Sequence, residues 1–341
     1  MSTIRDVAIK AGVHPSTVSR VFSGNAKISE ETQTRVLDAA HKLGFHPNAI
    51  ARSLSVQRTC TIAIVIPHIY SGYFDDEFFP QVVQGLLNFA YPRGYRILVG
   101  GSNSHSDEIV QTFDILGSRQ ADGIVVLSNR LDVDTVGAMR EQDTPFVLLG
   151  RPPAHYDDVS WVDADNERYT FEAINYLIGL GHKRIGYVGG DPEVAVTSER
   201  QRGYAAAMMQ SQLPQNPRWI EYGYFSDEGG YYAVQRMTEL GDAAPTAYYA
   251  ANDLMAFGIL RGLREKGIDV PQQVSVIGTN DSGACLHVTP TLTTLRVPYA
   301  QMAVQATELL IQAIEEENTA HTQRYVDCEL MVRESTGPCS V

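Results

Sequence analysis

The side chains near the start of the sequence that could do chemistry include several short hydroxyls, Lys27 and Arg20. Hydroxyls and lysine can bond phosphate oxygens, and the fork of a guanidinium can bond guanine O6 and N7 together. The candidates for contacts to bases are His14, Pro15, Ser16 and Arg20. The candidates for contacts to phosphates are Thr3, Thr17, Ser19, Lys27, Ser29, Thr32 and Asn48. Each hydroxyl taken singly is also an ordinary helix cap, so the elements that carry it decide between the two.

Three short helices are predicted around these residues. Apolar positions three and four apart between Ile4 and Ala11 predict a first helix that Gly12 ends. Pro15 is tolerated in the first turn of a second helix, and a third follows Ser29. The very short link between the first two predicts a helix-turn-helix, whose second helix enters the major groove of DNA by its N-terminal end. The apolar side chains assigned to the core of the last two helices are Val18, Val21, Phe22, Val36, Leu37, Ala40 and Leu43.

The segment 48–55 carries a capping Asn48 and helix-forming residues, but it is too short to stay helical alone in water. Two interpretations remain open. It is a plain linker, or it is a helix that folds only against a second copy. In the second case, paired Leu54 side chains would enter the minor groove and kink the duplex.

Charge is divided unevenly along the chain. The 341 residues carry a formal net charge of −13, yet residues 1–58 carry +4 and the remainder −17. Because an acidic surface repels phosphate, contact with DNA is expected from the first segment alone.

Composition narrows the class of protein. Hydrophobic residues make up 44% and charged residues 20%, which indicates a globular chain and excludes a collagen-like, disordered or coiled-coil one. No apolar run approaches ~18 residues and the N-terminus is charged, so neither a membrane span nor a signal peptide is predicted. The four cysteines are scattered without zinc-site spacing. A cytoplasmic location, free thiols and no metal are therefore expected.

From Thr61 onward, short apolar runs alternate with amphipathic stretches of helix length. A first series of strand-like runs is TIAIVIP, YRILVG, DGIVVLS and PFVLLG, and a second is KRIGYVGG, WIEYGYF, TAYYAAND and QVSVIGTND. The predicted fold is an all-α helix-turn-helix head followed by an α/β body of two doubly wound parallel-sheet lobes. A ligand is expected in the cleft between the lobes, beyond the carboxyl ends of the strands.

Several residues at these strand ends suit a polyhydroxylated ligand. The Arg200 guanidinium can donate two hydrogen bonds to neighbouring hydroxyls, and Asn252 and Asp253 can accept from them. The other candidates are Tyr73, Phe74, Arg151, Phe225, Asn280 and Asp281. A helix cap or a core position explains most of them equally well, and the arginines leave an anionic ligand, such as a sugar phosphate or a uronate, open.

Motifs of enzymes are missing from the sequence. It contains no GxGxxG fingerprint, no phosphate-binding GxxxxGK[ST] loop, no HExxH and no GxSxG. No catalytic residues and no cofactor are therefore predicted. Two other classes stay open, a sugar-binding signalling protein with a vestigial head and an enzyme acting on a sugar or nucleotide.

The run TIRDVAIKAGVHPSTVSRVFSG, followed by ISEETQTRVLDAAHKLGFHPNAIARSLS, resembles the DNA-binding head and hinge of the LacI/GalR family of bacterial transcription repressors. The body resembles the periplasmic-binding-protein-like sensor domain of the same family. The resemblance implies a homodimer on a pseudo-palindromic operator, controlled by a small-molecule effector, most often a sugar that releases the DNA. It implies that Pro15 and Ser16 distinguish operators, that Leu54 intercalates, that Arg200 binds the effector and that Phe225 stacks on it.

The resemblance also implies domain bounds, namely a DNA-binding domain 1–46, a hinge 47–58 and an effector-binding and dimerisation domain 59–341. Crossings near 160, 290 and 325 give a first lobe of about 60–160 and 292–323 and a second of about 161–290 and 325–341. The missing leucine heptad tail favours a dimer over a tetramer.

Two positions depart from the pattern of the family. Many sugar-responsive members carry aspartates where this chain has Gly150 before Arg151 and Asn280 before Asp281. The runs VLLGRP and GGDPEVAVTSERQRGY are more similar to the maltose- and α-glucoside-responsive branch than to the lactose or purine branches.

Overall fold

The structure is a computed structural model that describes residues 2–22, 28–45, 58–67, 76–127, 130–316 and 320–340. Five residues singled out in the sequence lie outside these ranges, namely Lys27, Asn48, Leu54, Tyr73 and Phe74. The same holds for nearly all of the predicted hinge.

The head consists of three helices, α1 (Ile4–Ala11), α2 (Pro15–Phe22) and α3 (Glu30–Lys42). Thr3 and Asp6 form a capping box at the start of α1, and Gly12 ends it with a left-handed φ of 65°. Its buried core contains Val7, Ala8, Val18, Val36 and Ala40. Leu37, which the sequence assigned to the core, is 51% exposed. The helical period explains this error, because Val36 and Ala40 share the inner face and Leu37 is turned about 100° from it.

The body begins with β1 (Thr61–Ile66), α4 (Phe78–Ala90), β2 (Arg96–Gly101), α5 (His105–Ser118), β3 (Gly123–Leu127), α6 (Val133–Arg140), β4 (Phe146–Leu149) and β5 (Trp161–Ala164). It continues with α7 (Asn166–Gly179), β6 (Ile185–Gly189), α8 (Ala195–Gln210), β7 (Ile220–Tyr222), α9 (Asp227–Thr238), β8 (Ala247–Ala250), α10 (Asp253–Glu265), β9 (Ser275–Thr279) and β10 (Thr293–Arg296). The last elements are α11 (Tyr299–Glu315), β11 (Gln323–Val326) and β12 (Glu329–Met331).

The strands form two six-stranded sheets, one in each lobe. The first has the order β2-β1-β3-β4-β5-β11 and is parallel throughout. The second has the order β7-β6-β8-β9-β10-β12, and only β12 is antiparallel to its neighbour. Two doubly wound lobes are thus present, as the alternating pattern predicts.

The chain crosses between the lobes after β5, after β10 and after β11. The sequence placed the first two crossings one strand too early. β5 belongs to the first lobe, where Trp161 pairs with Leu148, and β10 belongs to the second, where Thr293 pairs with Ile277. Both strands have four residues and include polar ones, WVDA and TTLR, so they lack the apolar run that reveals a central strand.

Over the ranges given above, no helix combines the length and the apolar character needed to cross a bilayer.

Candidate functional site

A cavity lies between the lobes at the carboxyl ends of the strands. Its free space is about 710 Å³, counting the opening to solvent. Five of the predicted ligand residues line it, namely Arg151, Arg200, Phe225, Asn252 and Asn280. The structure therefore brings most of the described candidates together.

Arg200 lies in the wall of this cavity and is 3% exposed. Its guanidinium donates to Asn166 Oδ1 at 3.3 Å, to the carbonyl oxygen of Ala251 and to Tyr299 Oη at 3.4 Å. All three acceptors are neutral, and no carboxylate of the described residues forms an ion pair with Arg200. A buried cation bonded only to neutral acceptors can exchange these bonds for ligand hydroxyls at small cost.

Asp76, at the start of α4, connects the two lobes and was not predicted. Its carboxylate accepts from Asn252 Nδ2 at 2.9 Å and from Asn280 Nδ2 at 3.2 Å, both in the second lobe. Asn280 Oδ1 in turn accepts from Tyr299 Oη at 2.9 Å, again across the cleft. Asn252 also caps α10 by accepting from Met255 N at 2.9 Å. The predicted helix cap and the cavity position are thus combined in one side chain.

Arg151 makes a second bridge across the cleft. Its Nη2 donates to Glu199 Oε1 at 2.6 Å, and its Nη1 donates to Tyr325 Oη at 2.9 Å. Asn166 Nδ2 donates to the other Glu199 oxygen at 3.0 Å. Asp163 lies 3.8 Å from Arg151 Nε, and burial, reinforced by the Glu199 carboxylate, raises the pKa of Asp163. Two carboxylates therefore share one guanidinium at this end of the cavity.

Phe225 forms the aromatic part of the cavity wall and is held in a constrained backbone conformation. Tyr224 and Phe225 have left-handed φ values of 50° and 60°, which is uncommon for aromatic residues. The carbonyl oxygen of Phe225 accepts from Asn252 Nδ2 at 3.0 Å. The ring lies directly on Gly190, where a Cβ would be 1.9 Å from the ring Cζ. Gly190 is thus the surface against which the ring is positioned.

Two predicted ligand residues do not line the cavity. Asp253 is 2% exposed and accepts from Thr294 Oγ1 at 2.6 Å and Ser282 N at 2.7 Å. Burial raises its pKa to about 7. Asp281 pairs with Arg296 at 2.7 Å and Arg333 at 2.5 Å. Asp253 follows Asn252 and Asp281 follows Asn280, and both asparagines line the cavity. The two aspartate side chains are directed away from it. Both carboxylates instead connect elements within the second lobe.

The candidate DNA contacts surround the start of α2. The backbone N–H of Ser16 donates to His14 Nδ1 at 3.2 Å, and the Ser16 hydroxyl lies 2.7 Å from the same nitrogen. The His14 ring therefore caps α2. The side chains of His14, Ser16 and Arg20 are exposed, whereas Pro15 is half-buried. The start of α2 thus presents polar groups to solvent, as entry into a groove requires.

The hydroxyls predicted to contact phosphates have different local roles. Thr3 Oγ1 accepts from Asp6 N at 3.3 Å, and Ser29 accepts from Thr32 N at 3.4 Å. These two are helix caps in the structure. Thr17 and Ser19 are half-buried on α2. Helix N-termini remain good positions for phosphate, since their N–H groups favour anions.

Sequence reasoning missed a set of polar cavity residues that consists of Asp76, Asp163, Asn166, Glu199 and Tyr299. Asp163 and Asn166 flank the first crossing and Tyr299 follows the second. Recognising β5 and β10 as the strands before these crossings would have identified Asp163, Asn166 and Tyr299, whereas no such signal marks Asp76 and Glu199.

Comparison with known proteins agrees with this architecture. Residues 3–48 match the family described as "Bacterial regulatory proteins, lacI family", and residues 174–336 match "Periplasmic binding protein-like domain". The HTH-type transcriptional repressor CytR of Escherichia coli (strain K12) is 32% identical over 336 residues, which cover 98% of this chain and 96% of CytR. The solved complex of the transcriptional regulator CelR with cellobiose is 31% identical, with a TM-score of 0.75 and coverage of 98% and 100% of the two chains.

The lac repressor dimer bound to operator shares the fold, with a TM-score of 0.86 at 22% identity over 98% of this chain and 99% of its own. The helix-turn-helix head, the two-lobed body and these similarities have one consequence. The chain belongs to the LacI family of bacterial regulatory proteins. It is a DNA-binding transcriptional repressor whose operator affinity is controlled by a small-molecule effector.

Proposed function

We propose that the effector is a neutral, polyhydroxylated molecule, a sugar, that binds between the lobes with a ring on Phe225. The observation that carries this proposal is a set of hydrogen bonds across the cavity. Asn252 and Asn280 donate to Asp76, and Arg200 donates to Tyr299. Every one of these groups can bond a hydroxyl instead. The complex of CelR with cellobiose, a relative in sequence, supports a sugar.

The charges of the cavity favour a neutral effector over an anionic one. Among the described lining residues, the carboxylates of Asp76, Asp163 and Glu199 face the guanidinium groups of Arg151 and Arg200. Arg151 is already paired with Glu199. Even with Asp163 protonated, the site carries no net positive charge. A phosphate or carboxylate ligand would therefore leave charge uncompensated in a buried space, which is costly.

The head reads the operator through α2. Ser16 and Arg20 contact base edges, Pro15 offers an apolar contact, and the hydroxyls at the starts of α1 and α3 fix the register on phosphates. Two copies bind a pseudo-palindromic site as a homodimer, and the paired segments 47–58 place Leu54 in the central minor groove. On this proposal, 1–46 is the DNA-binding domain and 59–341 the effector-binding and dimerisation domain, in a cytoplasmic protein.

Coupling between the effector and DNA starts at the root of the linker. Asp122, just before β3, accepts from Thr59 N at 2.6 Å, from Thr59 Oγ1 at 2.8 Å and from Cys60 N at 2.7 Å. The segment that leads to the head is thus fixed to the first lobe. When the effector changes the angle between the lobes of each protomer, the two linker roots of a dimer change their separation, and the marginal linker helices lose or gain their packing.

The chain acts as a regulator and not as an enzyme. Asp163 and Glu199 place two carboxylates in one cavity, as a glycosidase requires, but both lie against Arg151 and Glu199 is also bonded to Asn166. The two alternatives, a signalling protein without operator function and a sugar or nucleotide enzyme, differ from the proposal in measurable ways.

The test uses the full chain. A thermal-shift screen against sugars, sugar phosphates, uronates and nucleosides identifies the binder, since occupancy at about 100 times Kd stabilises by roughly 2.7 kcal/mol. Selection from random duplex DNA supplies the operator, and anisotropy measures its affinity with and without the binder. Binding of sugar phosphates or uronates but of no neutral sugar contradicts the proposed effector class. Operator affinity that ignores the binder contradicts the switch, and turnover of the binder indicates an enzyme.

A further inference from the structure

A second interlobe space lies beside the effector cavity. It is a groove of about 1,310 Å³, counting its opening to solvent. We call it the outer groove, and its lining includes Arg151, Ala195, Glu199, Arg202, Gln323 and Tyr325, with Trp161 beneath. Arg151, Ala195 and Glu199 line the effector cavity as well. The two spaces are therefore neighbours with a shared wall.

The shared wall consists mainly of the Arg151–Glu199 ion pair, at 2.6 Å. Each partner has a further bond that would remain if the pair opened, because Arg151 also donates to Tyr325 Oη at 2.9 Å and Glu199 also accepts from Asn166 at 3.0 Å. Removing one partner of a buried pair is costly because it leaves a charge alone. Here each group would keep a hydrogen-bond partner, Arg151 would still have Asp163 at 3.8 Å, and ligand hydroxyls could take the vacated positions.

The outer groove has the side chains of a sugar subsite. Trp161 and Tyr325 form an edge-to-face pair with ring centroids 5.0 Å apart, and the Tyr325 side chain is 51% exposed. Polar groups from both lobes surround these rings, including the exposed Ser198 and Arg202 of α8. Aromatic surface bordered by hydrogen-bonding groups is what ligand sites commonly offer. The effector cavity repeats this arrangement with Phe225.

We infer that the effector is a disaccharide whose first ring occupies the effector cavity on Phe225 and whose second ring occupies the outer groove on Tyr325, with the linkage passing between Arg151 and Glu199. The inference rests on the proposed sugar effector and adds that this sugar has two rings. Arg151 is then a specificity residue, because it separates or joins the two subsites.

The experiment compares D-glucose, maltose, cellobiose and cytidine by calorimetry and by tryptophan fluorescence of the full chain. The chain has two tryptophans, and Trp219 is 3% exposed in the core of the second lobe with its Nε1 bonded to Ala243 O. A change in emission on binding thus reports on Trp161 in the outer groove. We expect maltose or cellobiose to bind at least about tenfold tighter than D-glucose and to change the emission. The change in emission should vanish in Trp161→Phe.

Matched variants distinguish the contribution of the outer groove to binding from that of the effector cavity. Tyr325→Ala should weaken the disaccharide about tenfold and leave D-glucose unchanged, whereas Tyr325→Phe should keep most of the affinity. Tyr232→Ala, which removes a tyrosine with 57% exposure on α9, should change neither.

Three results overturn the inference, and they are distinguishable. D-glucose binding as tightly as the disaccharides, or a disaccharide that binds without changing the emission, refutes the second subsite and leaves the sugar effector intact, whereas cytidine binding as tightly as the disaccharides contradicts both. If D-glucose by itself changes the tryptophan emission, the outer groove is an independent site. Absence of a melting shift with every sugar of the thermal-shift screen rejects the proposed sugar effector, and the second subsite with it.

Discussion

Replacing Gly190 by alanine should displace the Phe225 ring. The new Cβ would lie 1.9 Å from the ring Cζ and 2.3 Å from both Cε atoms, whereas carbon atoms in contact need about 3.5–4 Å. The ring must therefore move by roughly 1.5 Å or more. Its backbone cannot follow, because the carbonyl oxygen is bonded to Asn252 and Ser226 caps α9 by accepting from Gly229 N at 3.1 Å. Rotation of the ring into the cavity is the remaining response.

The cost of this substitution can be estimated for stability and for binding. Overpacking of this kind costs about 1–3 kcal/mol, which lowers Tm by about 2–4 °C per kcal/mol in domains of 150–250 residues. Loss of the aromatic face should weaken the effector by about tenfold. Calorimetric titration and thermal unfolding measure both quantities, and operator affinity without effector should stay at the wild-type value.

A matched control for this variant is Gly179→Ala, at the end of α7 in the same lobe. An added Cβ there meets open space, so the variant should lie within about 1 kcal/mol of the wild type. Wild-type effector affinity in Gly190→Ala, with an unchanged Tm, would show that Phe225 is not held by this contact and would refute the reasoning.

Four further predictions concern the head, the linker root, the fold and the cleft. Arg20→Ala should weaken operator binding by about 1–3 kcal/mol in anisotropy at ~0.15 M salt, and equal affinity for operator and random DNA in the wild type would contradict base readout. Asp122→Ala should leave effector affinity intact and reduce the effect of the effector on operator affinity, because the linker root loses its anchor; undiminished coupling would rule this out. Burial lowers the pKa of His182, so the unfolded chain takes up a proton below about pH 6.5 that the folded chain does not. This contribution of His182 destabilises the fold as pH falls from 7.5 to 5.5, so the Tm of His182→Gln relative to the wild type should rise over that interval in thermal melts. Asn280→Asp should place a carboxylate beside Asp76, weaken the effector at pH 8 and recover toward pH 5 as one carboxyl is protonated; wild-type affinity at pH 8 would count against the bridge.

The sequence predicted those elements whose own residues carry the signal. Thr3, Gly12 and Ser29 mark helix ends by local bonding, and apolar runs such as TIAIVIP mark central strands. β5 and β10 were missed because each has only four residues and includes polar ones. That error shifted two crossings and concealed Asp163, which lies on β5.

The candidate site was predictable in part for a different reason. Arg200 and Asn252 follow strands of one lobe, so their position is set by local order along the chain. Asp76 and Tyr299 reach the cavity from the other lobe, and their contacts join residues far apart in the sequence. Asp253 shows that local order along the chain can also mislead. It follows Asn252 directly, yet its carboxylate is buried within the lobe against Thr294.

The two departures from the family pattern have a common explanation in the structure. An aspartate at position 280 would face Asp76, 3.2 Å from the amide nitrogen of Asn280, so an asparagine there lets the carboxylate of the other lobe bond it without repulsion. The acid absent at Gly150 has a counterpart in Asp163 and Glu199, which lie on either side of the cleft and share Arg151. In both places an acidic side chain of one lobe bonds a polar group of the other, Asp76 to Asn280 and Glu199 to Arg151. On the proposed function, the polar groups that bind the effector are the same groups that join the lobes, and an effector that replaces these bonds must also change the balance between open and closed cleft.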